Sequence, residues 1–148
     1  GDFLVIDWGA TYEDYFSDLT RTFAIGEVDT ELLKIYEAVK LANAAGRAAG
    51  KPDIKAGIVD SASRQLIEDS GYGKYFTHRT GHGLGMEAHE QPYIFHGNDL
   101  ILEKGMTYTI EPGIYLPGKG GVRIEDDVVI TANGCESLSD FSRDLQVL

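Results

Sequence analysis

Phe3-Leu4-Val5-Ile6-Asp7-Trp8-Gly9, followed by Ser17-Asp18-Leu19-Thr20-Arg21-Thr22, reads as the two strands of one antiparallel hairpin with an acid embedded in each. Asp is depleted inside strands, so Asp18 calls for a reason beyond local structure, whereas Asp7 alone could be a turn-initiating aspartate. The loop is expected over Gly9–Phe16, which sets Asp7 across from Asp18. Farther along, Thr109-Ile110-Glu111-Pro112-Gly113 and Arg123-Ile124-Glu125-Asp126 repeat the pattern about a turn over Leu116–Gly121, setting Glu111 across from Glu125. Like charges directly opposite on facing strands destabilise a sheet unless something positive lies between them.

That cation has a further ligand in reach. His82 stands in Thr80-Gly81-His82-Gly83-Leu84-Gly85, where the missing side chains allow close backbone approach. Four carboxylates and an imidazole form a ligand set for two divalent metals, and one nitrogen among several oxygens favours manganese or cobalt, with zinc and iron open. Plainer readings stand beside this one. Alternation in Arg123-Ile124-Glu125 allows a simple surface ion pair, and a lone histidine is more often structural. Yet His78 and His89 crowd the same region as His82, while His96, in a polar turn, reads as merely exposed.

Between the two acidic hairpins the period becomes helical. A helix capped by Asp29 or Thr30 is expected to carry Leu32, Leu33, Tyr36, Val39 and Leu41 through Ala45 at helical spacing, until Gly46 and Gly50-Lys51-Pro52 end it. A second is expected over Ala56–Ser70, burying Ile58, Ala62 and Leu66, with Gly71 as its stop. After Gly73, strands are expected at Tyr75–Thr77, Met106–Ile110, Ile114–Leu116 and Val122–Ile130. The class is α+β, and hairpin, helices, hairpin hints at two similar halves.

The 148 residues make one domain of ordinary size, 43% hydrophobic, and the net charge of −11 without a Lys or Arg run disfavours nucleic acid and anionic membrane surfaces as partners. A bound metal pair would offset part of that acidity, so stability and metal binding are expected to be linked. Cys135 is the only cysteine, which excludes an intrachain disulfide and points to a reducing compartment; no cation sits beside it in sequence to form a thiolate. With no signal peptide or spanning stretch visible, a cytoplasmic location is expected.

Six ordered motifs carry a resemblance: Asp7-x-Gly9, Ser17-Asp18-x-Thr20-Arg21-Thr22, Gly81-His82-Gly83, His89-Glu90-x-Pro92, Thr109-Ile110-Glu111-Pro112-Gly113 and Arg123-Ile124-Glu125-Asp126. Together they resemble the pita-bread metallopeptidases, and the Arg-Ile-Glu-Asp and Ser-Asp-x-Thr-Arg-Thr segments are similar to the Xaa-Pro branch that holds prolidase and aminopeptidase P. The resemblance implies the creatinase/aminopeptidase-like fold, a mainly antiparallel curved sheet with helices packed outside. Residues 1–148 would be a single, incomplete catalytic domain whose N-terminal part is missing. An uncovered sheet edge would then invite pairing with another copy or a missing segment.

By the same resemblance, Asp7 chelates one metal, Asp18 and Glu125 bridge both, and His82 with Glu111 completes the second. A bridging hydroxide attacks the amide carbon, Glu111 moves its proton to the leaving nitrogen, His78 and His89 hold the substrate carbonyl or oxyanion, and Arg123 orients ligands or substrate. The substrate implied is a peptide with proline at its second position, and the full-length protein is implied to be a homodimer. Tyr93, Phe95, Tyr115 and Phe76 could wall an apolar pocket, and Arg79 places a bulky charge where relatives often carry a small residue. The competing readings are a non-catalytic binding module on the same fold and a hydrolase of another amide or guanidino compound.

Overall fold

In the computed structural model, which describes all of residues 1–148, the first hairpin is longer and tighter than its sequence suggests. Strand β1 (Phe3–Tyr12) and strand β2 (Tyr15–Ala24) meet at a two-residue turn, Glu13-Asp14, with φ of 48° and 68°. Positive φ at both positions matches the right-handed twist of the flanking strands. No eight-residue loop exists, and the register becomes Asp7↔Thr20 and Gly9↔Asp18. Asp7 and Asp18 are therefore diagonal neighbours rather than direct partners. The shift is by an even number of residues, so both stay on one face, whereas a shift of one would have separated them.

Helix α1 (Thr30–Ala49) begins where expected, the Asp29 side chain accepting the Glu31 N–H, and stops at Gly50, the second of the two expected stops, after passing through Gly46. A Cβ on Gly46 would lie 2.4 Å from Ser63 Oγ, so this glycine marks the crossing with helix α2 (Ala56–Asp69) and not a terminus. Leu33 and Leu41 are exposed, and the buried face runs through Leu32, Ile35, Tyr36, Val39 and Ala42. On α2 the inward face is Val59, Asp60, Ser63 and Ile67, with Ile58 outward. Gly71, at φ 83°, follows the helix as the expected stop.

The expected strand at Tyr75–Thr77 is a single 3₁₀ turn over Gly73–Tyr75. The sheet is built instead from β3 (Gly81–Gly83), β4 (Glu90–Ile94), β5 (Thr107–Ile110), β6 (Gly113–Leu116), β7 (Gly120–Arg123), β8 (Asp126–Ile130) and β9 (Cys135–Ser137). Five of them pair in the order β4-β3-β5-β8-β9, β6 pairs with β7, and every ladder is antiparallel. The predicted single strand Val122–Ile130 breaks at Ile124-Glu125 because the Glu125 N–H leaves the hairpin for Thr20 O of β2, at 3.1 Å. Opposite the break, Pro112 has no N–H to give.

Both helices pack on one side. Leu32, Ile35, Tyr36 and Val39 of α1 join Ile114, Val122 and Ile124 in one core cluster, while Ala56 and Val59 of α2 join Ile94, Tyr108, Ile110 and Val128 in another. Burying each such side chain contributes roughly 1.5–3 kcal/mol. The opposite face of the strands is left for polar groups. β1 hydrogen-bonds only β2, and Leu4, Ile6 and Trp8 along it are 38–41% exposed. No helix is long and apolar enough to cross a membrane.

Candidate metal centre

Away from the helices, β2, β3, β5 and the β7–β8 junction converge on a cleft of about 510 Å³. The residues named above as metal ligands or catalytic groups all line it, Asp7, Asp18, His78, His82, His89, Glu111, Arg123 and Glu125, together with Arg79 and Tyr115. On the hairpin, Gly9 keeps the space beside Asp18 clear, since a Cβ there would lie 2.2 Å from Ser17 O. Glu111 falls opposite Glu125 as expected, because the pairs Ile110↔Asp126 and Gly113↔Arg123 on either side of the break share one register. Glu125 is 2% exposed, which excludes the surface ion pair, and Arg123 turns instead to Asp7, Nη2 donating to Oδ2 at 2.6 Å.

His82 is held between two ladders. A Cβ on Gly81 would lie 1.8 Å from Thr109 O and one on Gly83 2.2 Å from Gln91 O, so only glycines let β3 run between β4 and β5. The His82 N–H donates to Thr109 Oγ1 at 3.1 Å, and Nδ1–H donates to Gly83 O at 3.0 Å. That second bond fixes the tautomer and leaves the Nε2 lone pair facing Glu111 Oε1 at 3.4 Å and Asp18 Oδ2 at 3.7 Å. Burial holds His82 below its ordinary pKa, which disfavours the imidazolium form. Acceptors thus face acceptors, and ligand atoms of Asp18, His82 and Glu125 all lie within 4.8 Å of one another. The donor set fits a hard-to-intermediate divalent cation.

Electrostatics record the same crowding. Burial, with the charges of Glu111 and Asp18 adding, pushes Glu125 up to about 9. Burial likewise pushes Glu111 up to about 7 against the pull of Arg123, and burial with the Asp7 charge raises Asp18. Folded values above the unfolded ones mean stability that is complete at acid pH and lost as pH rises through the folded values. The metal-free chain is therefore expected to lose stability between pH 7 and 9, above the histidine range, and manganese should reverse the trend. Urea midpoints in chelator and in manganese check this; a flat chelator curve would contradict it.

Three hydroxyls that the sequence reading left without a role order the cleft. Thr20 Oγ1 donates to Glu125 Oε2 and accepts from Arg123 Nε at 3.2 Å. Tyr115 OH accepts from Arg123 Nη1 at 3.1 Å and reaches His78 Nε2 at 3.0 Å, while Thr109 Oγ1 donates to Glu111 Oε1 at 3.3 Å. Thr20 and Thr109 each sit two residues from a predicted ligand, on the same face of an extended segment, which was the available signal. Of the proposed apolar wall only Tyr115 lines the cleft: Phe76 is in the core, Phe95 is exposed, and Tyr93 lies under the Arg79 guanidinium at 4.8 Å. His89 is exposed with its ring 4.2 Å from that of His82, and His96 is exposed elsewhere.

The sequence profile of metallopeptidase family M24 matches residues 1–132. This chain belongs to metallopeptidase family M24. The M24 chain is 48% identical over 148 residues to the putative dipeptidase YkvY of Bacillus subtilis, matching 100% of itself and 41% of that protein. It is 47% identical over 147 residues to an Xaa-Pro dipeptidase of Lactobacillus delbrueckii subsp. lactis, matching 99% of itself and 40% of that protein. Among solved structures, a prolidase from Thermococcus sibiricus superposes with a TM-score of 0.98 at 49% identity, over 100% of the M24 chain and 40% of the prolidase. A dipeptidase from Pyrococcus horikoshii OT3 gives 0.97 at 51%, over 99% and 41%. The fold is thus that of the prolidases, and the M24 chain spans about 41% of the length of its curated relatives.

Proposed function

We propose that this chain carries a two-metal peptidase centre that hydrolyses the bond preceding a proline, as an Xaa-Pro dipeptidase or aminopeptidase. The observation that carries the reading is the His82 Nε2 lone pair aimed at two carboxylates, with the ligand atoms of Asp18, His82 and Glu125 within 4.8 Å of one another. Relatives at 47–48% identity that are named Xaa-Pro dipeptidases supply the reaction class. Asp7 would hold one cation, Asp18 and Glu125 both, and His82 with Glu111 the second; manganese or cobalt suits one nitrogen among oxygens. When bound, such a pair supplies an acidified water and Lewis-acid polarisation of the scissile carbonyl.

The chain's own groups do the rest. Glu111, lining the cleft beside Asp18 and His82, is placed to take a proton and pass it to the leaving nitrogen. Both ring nitrogens of His78 are engaged, Nδ1 with Arg79 O at 2.7 Å and Nε2 with Tyr115 OH, so His78 acts through the Tyr115–Arg123–Asp7 chain. The exposed His89 is the imidazole left to meet the substrate carbonyl as charge develops. Proline at the second position makes the scissile amide one without an N–H, the feature a selective site would read. The same reading puts the whole protein in the cytoplasm as a homodimer.

With manganese supplied, the full-length protein is expected to release proline from Ala-Pro and to leave Ala-Ala intact. Equal cleavage of the two would overturn the selectivity, and bound metal without cleavage would overturn the catalytic assignment. His89→Ala should keep about two manganese ions per chain while lowering kcat ~10²-fold. Lost metal would make His89 a ligand instead.

A further inference from the structure

We infer that Asp127 is a positioning residue for Asp18, its side chain standing in for a backbone carbonyl that the sheet cannot supply. β8 is already paired on both edges, with β5 on one side and β9 on the other, and the Asp127 carbonyl itself accepts the Leu138 N–H at 2.8 Å. Strand β2 nevertheless runs beside β8 where it carries Asp18. Two residues away the match is ordinary, Glu125 N–H to Thr20 O at 3.1 Å. At Asp18 the backbone N–H meets Asp127 Oδ2 instead, at 3.0 Å. Even a partly buried N–H is costly to leave without an acceptor, so this bond helps to fix where the Asp18 backbone, and hence its carboxylate, rests.

Asp127 is otherwise hard to account for. It is 7% exposed, its Oδ1 is buried with no hydrogen-bond partner, and no cation of the chain forms an ion pair with it. A buried acid with one idle oxygen lowers stability, and such groups call for an explanation. Its partner is the backbone of one proposed bridging ligand, and the other, Glu125, stands two residues before Asp127, just ahead of β8. Outer partners that orient ligands tune metal affinity by ~10–100-fold.

The inference rests on the two-metal reading and has its own test, calorimetric manganese titration of the whole chain. Asp127→Ala should weaken binding by ~10–100-fold. Asp127→Asn, whose amide oxygen still accepts the Asp18 N–H, should restore affinity to within ~3-fold of the parent chain. A merely structural role would lower urea midpoints in both variants and leave both affinities unmoved. Unchanged affinity in Asp127→Ala overturns the inference, as does equal weakening in both variants, which would assign the effect to charge. Should Asp127→Ala fail to fold, Asp127→Ser, too short to keep the contact, is judged by the same outcomes. A parent chain that binds no manganese overturns the two-metal reading itself, and the inference with it.

Discussion

Glu125→Gln is expected to weaken manganese binding by at least ~10²-fold, more than the loss of an outer partner, and to stabilise the metal-free chain as pH rises towards 9. The two effects have one cause. Glu125 is 2% exposed and faces Glu111 and Asp18, so its ionisation is opposed until about pH 9. Gln has the same shape, still accepts the Thr20 hydroxyl through its amide oxygen, and carries no charge for its neighbours to repel. What it lacks is the negative charge that makes a carboxylate the stronger ligand for a divalent cation and lets it bridge two. Function and stability then pull in opposite directions at one position, as at a site kept strained for its ligand. Calorimetric titration and urea midpoints at pH 7 and 9, both in chelator for the latter, measure the pair. Unchanged affinity would remove Glu125 from the ligand set; a metal-free variant less stable than the parent at pH 9 would show that the carboxylates do not strain one another.

Much of the cleft was legible because acids in strand-forming runs contradict local propensity: Asp18 lies within β2, and Glu111 and Glu125 stand directly at strand ends, after β5 and before β8. Position along the ladder was less legible. Glu13-Asp14 lacks the Asn-Gly or Asp-Gly signature of a two-residue turn, so the Asp7–Asp18 register came out wrong by two although the face came out right. Strand β3 is Gly-His-Gly, with no β-former in it; ladders on both sides hold it extended, a tertiary cause that composition does not reveal. The α2 face was missed because its buried members are polar. Asp60 accepts from Arg64 and from Thr80, and Ser63 donates to Ala42 O, so each is satisfied inside while Ile58 faces outward. Apolar periodicity finds a buried face only when that face is apolar.

Asp126→Ala is expected to cost ~3–5 kcal/mol, a large part of the ~5–15 kcal/mol that holds a domain of this kind together. Asp126 is fully buried and accepts from Arg21 Nη2 at 2.7 Å, from Arg143 Nε at 2.7 Å and Nη2 at 2.9 Å, and from Ser139 Oγ at 2.9 Å. Arg21, itself 2% exposed, also donates to the carbonyls of Thr20, Glu125, Phe141 and Ser142. Removing the carboxylate strands a buried guanidinium and releases the 139–143 segment. The comparison with the next residue is instructive. Burial alone would push both carboxyls up, and with the charges of Glu111 and Asp18 it takes Glu125 to about 9, yet Arg143 and Arg21 hold Asp126 below its ordinary value. Alternation along the strand sends the two side chains to opposite faces. On one face the protein supplies the cations itself; on the other it gathers carboxylates and leaves the cation to be bound. Asp126→Ala should therefore lower the urea midpoint steeply with manganese absent or present, whereas the loss in Asp18→Asn should appear only in its presence. A change under ~1 kcal/mol for Asp126→Ala would mean that Arg21 finds other partners and that the ion pair does not anchor the strands beneath the cleft.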